Sequence, residues 1–158
     1  MTASDTAQTT TISIDTTVDA PIEHAFRVFT EGIGSWWDKD HHLLDSEIQT
    51  MTFEPREGGH IIDHYVDGRE LAWSRVLTYD PPNRVVFSWD ITLDWKPSTD
   101  YERSSEVEVT FTRIDADRTH VVLTHRNLDR HGEGWEAMRD ALSRGWSLAD
   151  FAKFASQR

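Results

Sequence analysis

Residues 11–158 are expected to form one α+β domain: a curved, seven-stranded antiparallel sheet around a long C-terminal helix, with two short helices after the first strand. Three observations predict this. Between Glu47 and Leu128, short stretches of alternating polarity are separated by glycine and proline turns, the pattern of successive half-buried strands. From Glu133 onward the apolar residues return to steps of three and four, the spacing of an amphipathic helix. Finally, 158 residues suffice to bury one core but not two ordinary ones. Antiparallel strands with a helix packed on one face define a two-layer architecture.

The first ten residues, MTASDTAQTT, have the small polar composition of a disordered tail and are set apart from the domain. From Thr11, Ile12, Ile14 and Val18 alternate with Ser13, Asp15 and Thr17 as a strand. Asp19 is expected to cap the next helix, with Pro21 in its first turn, Glu23 near its positive end and Ile22, Ala25, Phe26 and Phe29 as its buried stripe. Gly32 and Gly34 end that helix before the adjacent Trp36 and Trp37. Neighbouring residues cannot share a helix face, so one indole is expected in the core and the other at an edge or entrance.

The remaining strands follow in order. In EIQTMTFEP, strict alternation places Ile48, Thr50 and Thr52 on one face and Gln49, Met51 and Phe53 on the other. HIIDHYV follows Gly58-Gly59, and Asp67-Gly68 marks a hairpin into RELAWSRVLTY. Pro81-Pro82-Asn83 turns into RVVFSWDITL, where Val85, Phe87, Trp89 and Ile91 share a face. EVEVTFTRI and THVVLTHRNL close the sheet, the latter placing Val121, Leu123 and His125 together. The final helix, roughly twenty residues long, carries Trp135, Met138, Leu142, Trp146 and Ala149 on one stripe. Gly145 within it costs ~1 kcal/mol relative to alanine and marks close packing or a slight bend.

Composition narrows the function. A net charge of -12 disfavours nucleic acid, whose affinity rests on Lys and Arg displacing counterions, and equally an anionic membrane. The absence of cysteine excludes thiolate nucleophiles and cysteine-based zinc sites. The N-terminal residues have neither the basic nor the apolar region of a secretory signal, so the cytoplasm is the expected location. Only 37% of the chain is hydrophobic, but seven Trp, seven Phe and three Tyr concentrate that apolarity in large rings that fill a core or line a pocket.

The segments PIEHAFRVFTEGIGSWW, FEPREGG, DGRE with Trp73 after it, PPNRVVFSW, LTHR and GWSLADFAKFA, in this order, resemble the helix-grip superfamily of START, birch-pollen-allergen (Bet v 1-like) and polyketide-cyclase domains, known as SRPBCC. The closer resemblance is to the branch named after the activator of the heat-shock protein 90 ATPase. It spans about Ile12 to Ala155 and implies a sheet gripping the C-terminal helix with a pocket between them. Eukaryotic chaperone activators of this type carry a further N-terminal domain without counterpart in these 158 residues, so the family name transfers poorly as a function. The family's glycine pair is also commonly followed four residues later by Glu, where this chain has the shorter Asp63.

Within such a pocket the polar candidates are His125, inward by alternation with Val121 and Leu123, and Asp63, inward with Ile61 and Tyr65. A buried imidazole can transfer protons or orient a ligand, or serve as a bonded core residue. The expected walls are Trp37, Trp73, Phe87, Trp89, Phe111, Leu123, His125, Met138, Leu142 and Trp146. No metal or cofactor is expected: His60 and His64 stand four apart on a strand, ~13 Å from one another, and His41 and His42 near Asp45 point apart unless their loop curls. Neither a Gly-x-Ser-x-Gly elbow nor a nucleotide fingerprint occurs.

The leading expectation is binding of a small hydrophobic or aromatic molecule, in stress response or secondary metabolism. The alternatives are a cyclase, dehydratase or hydrolase of an aromatic or polyketide-like substrate using His125 and Asp63, and a chaperone cofactor or other interaction module. The last would expose an apolar patch around Trp36, Trp37 and Trp95, a surface that would also suit a homodimer.

Overall fold

A computed structural model describes residues 10–40, 42–146 and 148–157. The expected tail lies outside the described residues except for Thr10, whose carbonyl accepts the Leu128 N–H at 3.1 Å. Strand β1 (Ile12–Val18) leads into helices α1 (Ile22–Phe29) and α2 (Ile33–Trp36). Strands β2 (Ile48–Phe53), β3 (His60–Tyr65), β4 (Glu70–Asp80), β5 (Arg84–Trp89), β6 (Ser105–Asp115) and β7 (Arg118–Arg126) follow. Helices α3 (Trp135–Gly145) and α4 (Leu148–Ala155) end the chain. The strands form one sheet in the order β1-β7-β6-β5-β4-β3-β2, antiparallel throughout, as expected for a helix-grip fold.

The sheet curls because its register is broken where it must bend. Irregularities fall between Ile48 and Thr50, between Ile61 and Ile62, and between Val76 and Thr78, and bulges of this kind increase local twist. The first corrects the strict alternation expected of β2. The extra residue returns Ile48 to the buried side with Met51 and Phe53, while Gln49, Thr50 and Thr52 face solvent. The expected Asp19 cap is also corrected: Pro21 occupies the N-cap of α1 with no side-chain cap bond, and the Asp19 N–H is taken by Ser156 Oγ at 3.0 Å.

The C-terminal helix is divided more sharply than a bend at Gly145. Trp146 has extended backbone (ψ 125°), so α3 stops there and α4 restarts at Leu148. The division gives the two helices different jobs. Leu148, Phe151, Ala152 and Ala155 of α4 are buried with α1, where Phe151 meets Phe29 at 5.2 Å between ring centroids. Phe29 and Phe26 in turn meet Phe111 of β6 at 6.0 and 5.1 Å. Phenylalanines thus fill the sheet's concavity beneath α1 and α4. Tryptophans occupy the end beneath α3. Among the described residues no helix is long and apolar enough to cross a membrane.

On the convex face, Glu106 and Glu108 pair with Arg126, and Glu108 also with Arg84, over the buried Val86. Beside them Asp90 is 4% exposed and accepts four hydrogen bonds: Arg75 Nε at 3.0 Å, Arg75 Nη2 at 2.9 Å, Ser88 Oγ at 2.9 Å and Ser104 Oγ at 2.6 Å. Tyr101 covers the Arg75 guanidinium at 3.7 Å. This cluster fastens both ends of the loop 90–104 to the sheet.

Candidate functional site

Because α3 lies over the wide end of the sheet, a cavity of about 440 Å³ remains between them. That volume falls within the range of small-molecule sites. Its walls include Trp37 after α2, Trp73 of β4, Trp89 of β5, Leu142 of α3, Trp146 at the helix break and Trp95 of the loop 90–104. Four of these indoles form a closed circuit: Trp37 to Trp73 at 5.6 Å, Trp73 to Trp89 at 5.5 Å, Trp89 to Trp146 at 5.7 Å and Trp146 to Trp37 at 5.9 Å. These separations are those of favourable edge-to-face and tilted ring contacts. Trp36, the other member of the adjacent pair, enters the core at 5% exposure and donates its Nε1–H to the Val28 carbonyl at 3.0 Å.

Asp63 supplies the polar character of the wall. Its side chain is buried, with Trp73 Nε1–H donating to Oδ1 at 2.9 Å and Tyr65 O–H to Oδ2 at 3.1 Å. Tyr65 Oη accepts the Leu43 N–H at 3.3 Å, which orients the phenol toward the carboxyl. Burial pushes the Asp63 pKa above the ordinary carboxylate value, against the two hydrogen bonds that favour the ionised form. The carboxyl is therefore held rigidly at the cavity and retains its proton to higher pH than a solvated aspartate.

His125 is inward and fully buried, as alternation predicts, but it stands behind the wall rather than at it. The rings of Trp89 and Trp146 lie against it at 5.4 and 6.0 Å. Its Nε2 is 2.7 Å from Ser105 Oγ, which is also 2.7 Å from His131 Nε2. Donor counting orients this chain. An indole N–H can only donate, so His125 Nδ1 accepts from Trp146 Nε1–H at 3.4 Å, and a neutral His125 then donates from Nε2–H to Ser105 Oγ. The Ser105 hydroxyl in turn donates to His131 Nε2. The order is complete with both imidazoles neutral. Burial accordingly lowers the His125 pKa to about 3, with repulsion from His131 adding to it, and burial lowers that of His131.

Asp63 and His125 share no hydrogen-bond partner; each has its own, and the Trp73 and Trp89 rings form the chain of contacts between them. Arg126 pairs with Glu106 and Glu108 and not with Asp63. Five of the ten expected wall residues, Trp37, Trp73, Trp89, Leu142 and Trp146, do line the cavity. The other five, Phe87, Phe111, Leu123, His125 and Met138, are buried and are not among the residues that line it. Phe87 and Phe111 pack against Phe29 of α1, and His125 against Trp89 and Trp146. The sequence reading missed Ser105 and His131. Ser105 continues the inward alternation of Val107 and Val109 and was open to discovery, whereas His131 sits in a 3-10 turn with no periodic signal.

Trp95 differs from the other wall indoles. It is 42% exposed, and no aromatic ring lies within stacking distance among the described residues. Its φ is 60°, in the left-handed region that costs a non-glycine residue ~1–2 kcal/mol. Of the histidines considered for a metal, His41 lies outside the described residues. His64 bonds Thr52 Oγ1 at 2.8 Å and Glu70 at 3.0 Å, and His60 stands 3.5 Å from Glu54. Among the described residues no group of three or more potential ligands converges.

A family model described as activator of Hsp90 ATPase homolog 1-like protein matches residues 19–149. The chain belongs to this family. Within the wider helix-grip fold, a solved anthrahydroquino-gamma-pyrone synthase, Txn09, is 37% identical, with 90% of this chain and 95% of that one aligned at a TM-score of 0.66. CalC, a self-sacrificing resistance protein from Micromonospora echinospora, is 22% identical over 92% and 91% of the two chains at 0.63. Protein NE0264 from Nitrosomonas europaea is 12% identical over 94% and 96% at 0.64. The last two share the fold alone. A search of curated protein sequences finds no match.

Proposed function

We propose that this family member binds a planar, oxygen-bearing polycyclic aromatic molecule of the anthraquinone type in the cavity beneath α3. The carrying observation is the wall itself: indole faces surround one rigid, buried carboxyl, so a ligand with aromatic rings and a hydroxyl directed at Asp63 satisfies both. The likeness to a synthase of anthrahydroquinone-fused pyrones supports this ligand class. Titration with 1,8-dihydroxyanthraquinone, followed by Trp quenching and thermal shift, tests it. Saturable quenching with a raised Tm is expected; the absence of both refutes the reading.

A second reading, ring closure on such a molecule, is favoured by the raised Asp63 pKa. A carboxylate in this setting takes the proton from a phenolic hydroxyl as the oxygen adds to the β-carbon of a conjugated enone; the C=C π bond breaks, and the carboxyl returns the proton to the α-carbon, so the closure is an isomerisation. His125 has no part in that step, since its nitrogens are occupied behind the indole layer. Asp63→Asn is expected to abolish turnover of the cognate substrate while leaving dihydroxyanthraquinone affinity within about threefold. Unchanged turnover would remove Asp63 from the chemistry. Of the three tryptophans named for an interaction surface, Trp36 is buried, Trp37 lines the cavity and Trp95 is exposed.

A further inference from the structure

We propose that Trp95 is the outer jaw of a stacking slot, and that a planar ligand is held between Trp95 and the inner indole circuit. The inference rests on the ligand-binding reading above and deepens it by assigning a specificity residue. Trp95 lines the same cavity as Trp37, Trp73, Trp89 and Trp146. Each of those four touches at least two other rings, whereas Trp95 touches none among the described residues. A cavity lined by packed indoles and by one unstacked, partly exposed indole offers a flat ring system a face that the protein leaves uncovered.

Two independent features show that Trp95 is held in place rather than left loose. Its tight turn is closed by Thr92 N–H to the Lys96 carbonyl at 2.8 Å and Trp95 N–H to the Thr92 carbonyl at 2.9 Å, with Thr92 Oγ1 accepting the Lys96 N–H at 3.2 Å. The turn is also tied to the sheet through Ser98 N–H to the Asp90 carbonyl at 2.9 Å, and Asp90 is itself clamped by Arg75. A large aromatic side chain at positive φ and half in water is unfavourable locally on both counts. Local strain retained by a well-braced turn at a cavity mouth is what a ligand contact requires, because the ligand supplies the ring partner that the protein lacks.

The slot discriminates by shape. A planar π-system stacks on both jaws, whereas a saturated tricycle of similar volume fills the cavity without the face contact. The test compares wild type, Trp95→Ala, Trp95→Phe and Trp95→Gly in titrations with 1,8-dihydroxyanthraquinone and with perhydroanthracene. Trp95→Ala is expected to weaken the anthraquinone about tenfold and perhydroanthracene less than about threefold, with Trp95→Phe recovering most of the loss. Trp95→Gly should bind as weakly as the alanine variant with a Tm no lower than wild type, since glycine accepts positive φ without strain. Unchanged anthraquinone affinity in Trp95→Ala, or equal losses for both probes, overturns the slot while the cavity reading stands. Failure of wild type to bind the anthraquinone at all overturns both.

Discussion

Replacing His125 by Gln removes a titrating group from a buried network, and its effect on pH-dependent stability can be worked from the structure. His125 stays neutral in the fold down to about 3, while an unfolded histidine titrates near 6.5. Below 6.5 unfolding therefore takes up a proton that folding excludes, and stability falls as pH drops from 6.5 toward 3. Between pH 7 and 5 the loss from His125 alone is about 2 kcal/mol, since about 1.4 units of proton linkage accrue at 1.36 kcal/mol each. His131, also lowered, adds in the same direction. Asp63 opposes it, because a carboxyl whose pKa is raised in the fold gains relative stability as pH falls through that raised value. Hydrogen bonds and ion pairs lower the carboxylates Asp45, Glu54, Asp67 and Asp115, so their contribution is lost at more acid pH than this window.

The assay is urea unfolding of wild type and His125→Gln at pH 7 and 5, comparing the change in each protein rather than absolute stabilities. The glutamine leaves an amide in the slot between Ser105 and Trp146 but cannot titrate. The wild-type decrease on acidification should exceed that of the variant by about 2 kcal/mol. Equal decreases, within about 0.5 kcal/mol, would mean that His125 is not held neutral and that the donor order from Trp146 to His131 is wrong.

Asp90→Ala should destabilise by about 3 kcal/mol in urea unfolding, because it leaves the Arg75 guanidinium and two serine hydroxyls without their acceptor; a loss below about 1 kcal/mol would show that solvent replaces the carboxylate easily. The same variant loosens the loop that carries Trp95, so probe affinity should fall with stability. Gly59→Ala sets a Cβ 2.7 Å from Glu54 Cβ and 2.8 Å from its carbonyl oxygen, and should lower stability by about 1–3 kcal/mol in the same assay.

What could be read in advance followed from strictly local chemistry. The two-residue period of β3 and β7 places Asp63 and His125 inward whatever they meet, because successive side chains on a strand point to opposite faces. Neighbouring side chains leave the backbone in different directions, hence Trp36 in the core and Trp37, just past the end of α2, at the cavity. Asp67-Gly68 makes its hairpin turn with Gly68 at φ 93°, a conformation open to glycine without strain. Where an extra residue enters a strand, as between Ile48 and Thr50, the period fails and alternation no longer predicts the face.

The sequence by itself determined the architecture, the inward candidates and a supply of indoles large enough to wall a pocket. Only the tertiary structure decided which inward residues reach open space. Phe87, Phe111 and Leu123 point inward like Trp89, yet they are buried away from the cavity, Phe87 and Phe111 against Phe29 of α1, while Trp89 lines it. The break at Trp146, the seating of His125 behind it and the left-handed turn at Trp95 likewise arise from packing between segments distant in the chain. The physical reason is that a side chain's direction is set by its own backbone, whereas what lies at the end of that direction is set by the elements that fold across it.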